Sequence, residues 1–225
     1  MFLFDPMYFL YVGPFFLLGL YAQLKVKSTY QKAARMPAPL SGAAAARYIL
    51  DSSGATNVTI EITEGHLTDH YDPRSKVLRL SEQNYHTCSL AAVGIAAHEA
   101  GHAIQDARNY MPLVVRNAAV PAAKLGPSVG IWMLIIGFLF KFPLLLMLGI
   151  GLFSAFVAFQ IINLPVEFNA STRARRELVA LGIIDSDQAV VVKQVLDAAA
   201  WTYVAATLQA IATLLYYFNR FQDSR

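Results

Sequence analysis

One cysteine in 225 residues, Cys88, excludes an intrachain disulfide and any metal site built on several thiolates. Nothing in cysteine usage points to an oxidising compartment, and Cys88 itself reads as a small buried residue. Charge is also scarce: 15% of residues are Asp, Glu, Lys or Arg, where a soluble domain carries about a quarter. Histidine is scarcer still. There are five, none lies beyond His102, and no glutamate falls between Glu99 and Glu167. Hydrocarbon takes up the difference, with 56% of the chain apolar and much of that in long runs, as in a membrane protein. The net charge of +3 does not imply nucleic acid, because the cations follow the apolar runs.

The first run, residues 7–24, is just long enough to span a bilayer. Asp5 precedes it, and Lys25, Lys27, Lys32 and Arg35 follow, the reverse of a cleavable signal. Two further runs, 122–140 and 143–164, read as a transmembrane hairpin with Lys141 at its tip and Lys124 snorkelling from its first arm. Pro112, Pro121 and Pro127 break the stretch before it. A helix from about residue 187 ends in a fourth run, 201–218, with Trp201 and Tyr216-Tyr217 at its two interfaces. The expected organisation is an anchor (1–24), a catalytic part (25–120), a hairpin (121–164), a second polar segment (165–198) and a final span (199–225). Of the 18 Lys and Arg, ten lie in 25–116 and four, Arg173, Arg175, Arg176 and Lys193, in 165–198. By the positive-inside rule both segments are cytoplasmic and the N-terminus is outside.

Between the first two spans, Ser41 caps an Ala-rich helix ending near Ser52. Residues 58–63 and 76–80 alternate as two strands, with a turn over 71–75, giving a small β-hairpin. A second helix, capped by Ser89, runs to about Arg108. It carries His98-Glu99-Ala100-Gly101-His102, an H-E-x-x-H motif. Residues four apart share a helix face, so both imidazoles reach one ion, and Glu99 beside them is placed to take a proton from an attacking water. Chance placement of so few His and Glu yields this motif with a probability on the order of a few in a thousand. Gly94 and Gly101 weaken the helix and leave room either for a substrate strand or for a closely packed backbone. The strand just before the helix offers an edge for an extended peptide, or serves as plain scaffold.

A catalytic zinc usually has a third protein ligand. The extended H-E-x-x-H-x-x-G-x-x-H form is excluded, because Gln105 and Arg108 occupy its positions. Asp106 shares the face but lies roughly two turns from His98, too far for one ion. His66, Asp69, His70, Asp72, Glu82 and His86 stay open upstream. Glu167, just past the third span, is the preferred third ligand. Pro165 reads as a fresh helix start with Asn163 as cap. Asn169, Ser171 and Arg173 are spaced to orient the ligands, and Arg173 also to stabilise an oxyanion.

The stretches LTDHYDPRSKVLRLSEQNYHTCSLAAVGIAAHEAGHAIQDA, LPVEFNASTRARRELVALGII and AAAWTYVAATLQAIATLLYYF, in this order, resemble the YugP-like neutral zinc metallopeptidases of bacterial membranes. More distantly the chain is similar to HtpX-type membrane proteases, in which aspartate usually stands four residues after the ligand glutamate; here Ser171 does. The resemblance implies His98, His102 and Glu167 as Zn²⁺ ligands, Glu99 as general base, and a multi-pass protein of the bacterial inner membrane. The fold class expected is a mainly α membrane protein, with about four transmembrane helices and a zincin-like cytoplasmic domain. The function expected is zinc-dependent endopeptidase action on a peptide or protein substrate, itself membrane-associated, at the cytoplasmic surface of the lipid bilayer. The other reading is a non-catalytic scaffold with a closed structural metal. A transporter or channel is disfavoured, because the spans carry few ionisable groups.

Overall fold

The computed structural model describes residues 5–223; residues 1–4 and 224–225 of the expected first and last segments lie outside them. The chain is mainly helical with one small sheet. Among the described residues three helices are long and apolar enough to cross a membrane, or four if a bent pair counts as one span.

Two compact units share the chain. The first takes residues 1–22, 114–164 and 201–225. It holds the start of α1 (Pro6–Ala34), most of α5 (Met111–Leu125), α6 (Ile131–Leu139), the first part of α7 (Pro143–Ala180) and the end of α8 (Ser186–Asp223). The prolines before the hairpin do not end the helix as expected. Residues 111–125 are helical through Pro112 and Pro121, and a π-helical turn at Gly126–Gly130 carries Pro127. The axis bends by 52° between Met111–Pro121 and Ala123–Leu139. Pro121 has no N–H and its ring crowds the carbonyl of Asn117, so the helix kinks without stopping. Glycines then let backbones approach: a Cβ on Gly137 would lie 2.6 Å from Leu146 N, and one on Gly149 2.8 Å from Leu134 N. At one end of this unit Asp5 accepts from Tyr216 at 2.7 Å and pairs with Arg220, tying the start of α1 to the end of α8.

The second unit comprises residues 23–113 and 165–200. Here α2 (Gly42–Ser52) starts at Ser41, whose Oγ accepts from Ala44 N, as the sequence indicates. The expected hairpin is instead a three-stranded mixed sheet, ordered β1 (Thr59–Thr63), β3 (Val77–Ser81), β2 (His70–Asp72). The strands β1 and β3 pair in parallel, with Ile60 opposite Leu78, and β2 pairs antiparallel on the far side, with Tyr71 opposite Leu78. The tight turn lies at residues 73–76, one to two residues later than expected, where Asp72 accepts from Arg74 N and Ser75 Oγ. Central β3 is buried, so the strand nearest the motif helix in sequence has no open edge for a peptide.

A short helix, α3 (Glu82–His86), leads to α4 (Leu90–Ala107). Ser89 Oγ accepts from Ala92 N at 3.2 Å at its start. At its end Asn109 takes φ 49°, while Asn109 N donates to Asp106 O and Tyr110 N to Gln105 O, a Schellman closure. Cys88 is exposed, against expectation. It lies in the link between α3 and α4, held by its backbone carbonyl, which accepts from Ala38 N. The core gathers Ile49, Leu50, Leu78, Leu80, Leu90, Val93, Ile104, Leu178 and Val192 around α4.

The segment after the third apolar run is not a fresh helix. Pro165 lies inside α7, which is continuous from Pro143 to Ala180. Only one hydrogen bond, to the Ile161 carbonyl, is forfeited by a proline there. Gly182, at φ 67°, closes α7, with Ile183 N donating to Leu178 O. Asp185 and Gln188 then exchange side-chain-to-backbone bonds of 2.8 and 3.1 Å, a capping box that opens α8.

Candidate metal centre

The α4 helix passes through the core with His102 and Glu99 buried and His98 partly so. Small residues along it make that path possible. A Cβ on Gly101 would meet Ala170 O at 2.8 Å, and one on Gly94 would meet Val192 at 3.0 Å. Both glycines therefore face packed neighbours, which favours the packing reading over room for a substrate. The close approach at Gly101 lays residues 166–171 of α7 directly on the motif.

Three side chains converge as a result. His98, His102 and Glu167 each offer one ligand atom, and these atoms lie within 4.8 Å of one another. Glu167 Oε2 is 3.3 Å from His98 Nε2 and 3.7 Å from His102 Nε2. It is buried and makes no hydrogen bond among the described residues. Donor atoms roughly 2.0–2.1 Å from a tetrahedral zinc stand about 3.4 Å apart, close to both spacings. A buried carboxylate oxygen facing two imidazole nitrogens at such separations fits a divalent cation, and the two-imidazole, one-carboxylate donor set suits zinc.

The field at the site follows from the same contacts. Burial works against the charge on Glu167, but His102 and His98 outweigh it and hold its carboxyl far below the usual carboxylate range. Burial likewise works against a charged His102, but Glu167, with Glu99 and Gln105, holds the imidazolium above the usual range. Glu99, beside His98 in sequence, is thus near enough for its charge to act on His102.

Around the triad, Ser171 Oγ lies 3.2 Å from His98 Nδ1. His102 Nδ1 lies 3.0 Å from Gln105 Oε1. Gln105, fully buried, donates from Nε2 to Val166 O at 2.8 Å and Asn169 Oδ1 at 3.0 Å. Arg173 donates from Nε to the same Asn169 oxygen at 2.7 Å and lies over the Tyr110 ring. Of the expected accessory residues, Ser171 touches a motif histidine, whereas Asn169 and Arg173 are joined to His102 through Gln105. Sequence reasoning missed Gln105. Its signal was a polar side chain three residues after His102, on the same face of an Ala-rich helix.

The upstream alternatives are engaged elsewhere. Asp69 accepts from Ser81 and Asn84, His70 Nδ1 meets Thr68 O, and Asp72 holds its turn. His66 packs on Tyr30 and His86 on Tyr85, while Glu82 starts α3. Asp106 accepts from Tyr71 and Lys76.

Residues 8–222 match the family described as "Putative neutral zinc metallopeptidase". The chain is 43% identical over 210 residues to a protein of Bacillus subtilis (strain 168) named "Putative membrane protease YugP", covering 92% of this chain and 93% of that one. No solved structure matches.

Proposed function

This chain belongs to the family described as "Putative neutral zinc metallopeptidase", and we propose that it is a zinc-dependent integral membrane endopeptidase whose metal is held by His98, His102 and Glu167. The observation that carries this is the convergence of those three donors beside a buried Glu99. Bound zinc would lower the pKa of a water and polarise the scissile carbonyl. Glu99 would act as the general base, taking a proton from the attacking water and returning it to the leaving amine. His98 and His102 present Nε2, their Nδ1 atoms being turned toward Ser171 and Gln105. Among the described residues the cluster has three donors. A closed structural site has four, so the count supports catalysis over the scaffold reading.

The substrate is a peptide or protein, itself associated with the membrane. We place the second unit on the cytoplasmic side of a bacterial inner membrane, because the cations concentrate in its two segments. Asp5 and Arg220, joined at one end of the first unit, then lie outside.

The test is cleavage of an unstructured protein by detergent-solubilised, zinc-loaded enzyme. Glu99→Gln should bind zinc as the parent does and cleave about 10²–10⁴-fold more slowly. Cleavage at the parent rate would overturn the general-base role.

A further inference from the structure

We infer that Arg173, Asn169 and Gln105 are positioning residues that fix His102 in the tautomer carrying its proton on Nδ1, leaving Nε2 as a free donor atom facing Glu167. This deepens the zinc reading above and rests on it only where zinc is measured.

The inference follows from donor and acceptor chemistry along one chain of contacts. A guanidinium has five N–H groups and no acceptor, so whatever Asn169 presents to Arg173 Nε at 2.7 Å is its oxygen. The same oxygen lies 3.0 Å from Gln105, so the Gln105 atom facing it is the NH₂. The Val166 carbonyl, 2.8 Å from that nitrogen, imposes the same orientation and takes its second hydrogen. Both N–H bonds of the amide are thereby used, and its remaining atom, Oε1, only accepts. His102 Nδ1, 3.0 Å from Oε1, must carry a hydrogen. In the neutral ring the lone pair is then on Nε2, which lies 3.7 Å from Glu167 Oε2.

Three of the four links join α4 to α7 or lie along α7, and the three that end on Gln105 are shielded there, because Gln105 is fully buried. The polarity is therefore set by where residues 166–173 sit against α4, and a residue with no contact to the triad reaches the metal position through two amides. His98 has no comparable lock, since Ser171 Oγ both donates and accepts.

The experiment uses the full chain labelled with ¹⁵N-histidine in detergent, metal-free, at alkaline pH where imidazole is neutral. Wild-type His102 should show the Nδ1–H tautomer; an Nε2–H signal would overturn the inference without recourse to any variant. Gln105→Met keeps volume and helix preference but removes the acceptor. It should mix the His102 tautomers and weaken zinc binding, read by chelator competition, about 10–100-fold. Gln105→Glu, which retains an acceptor toward Nδ1, should hold zinc more tightly than Gln105→Met. If Gln105 serves packing alone, Gln105→Met will leave both tautomer and zinc affinity unchanged, and the inference fails. A wild type that shows the Nδ1–H tautomer yet binds no zinc would defeat the zinc reading and leave the positioning role standing.

Discussion

At Glu167 a carboxylate is held ionised inside the protein by the two imidazoles beside it. Metal-free, His102 has its pKa raised, so its contribution to stability is complete below the ordinary imidazole pKa of about 6.5 and is lost as pH rises through its folded value. Glu167 has its pKa lowered, so its contribution is present above the ordinary carboxylate range and is lost as pH falls toward its folded value. Zinc must displace the imidazole proton. The increase in Tm caused by zinc should therefore grow as pH rises from about 6 to 8, while the metal-free Tm falls over the same interval. A zinc increment independent of pH would contradict the coupling of these groups. The motif residues were legible because H-E-x-x-H is a spacing that a helix converts directly into a shared face. Glu167 was legible by scarcity, since no other His or Glu lies between His102 and it. Gln105 was not, because a lone glutamine becomes informative only when its burial and its three partners are known.

Among the elements, the contact of α4 with α7 is what assembles the centre, and Gly101 is its narrowest point. Gly101→Val introduces a side chain where a Cβ would already lie 2.8 Å from Ala170 O, and valine is no worse than glycine in a helix. It should destabilise the fold by about 1–3 kcal/mol and weaken zinc binding. Gly13→Val, where a Cβ meets nothing within 4 Å, should do neither. Thermal unfolding with and without zinc reads both, and equal behaviour of the two variants would mean that the helix contact does not build the site. Caps were legible as local chemistry: Ser41 and Ser89 stand where the sequence places them. Pro165 was misread because a proline carries the same local preference whether it opens a helix or sits at a tolerated break within one. Three-residue β2 was missed since its residues His70–Asp72 run straight into a turn, and the parallel pairing of β1 with β3 is a long-range choice that no local period encodes.

For the whole molecule, the apolar runs and the distribution of cations were readable because a bilayer constrains length and charge more strongly than a soluble core does. What they imply for orientation is open to direct test through the one cysteine. Cys88 is exposed in the second unit. A membrane-impermeant maleimide should label it in inverted vesicles and leave it unlabelled in intact spheroplasts; the opposite pattern would place the metal centre outside. The proposed centre depends on Glu167, which brings a carboxylate of α7 to the two histidines of α4. The most direct measurement is an equilibrium zinc titration of the purified full chain carrying Glu167→Gln. The parent should bind about one zinc per chain, as a three-ligand site requires, and the variant should fail to hold it at concentrations that saturate the parent. Zinc binding by Glu167→Gln with the parent's affinity and stoichiometry would contradict the assignment.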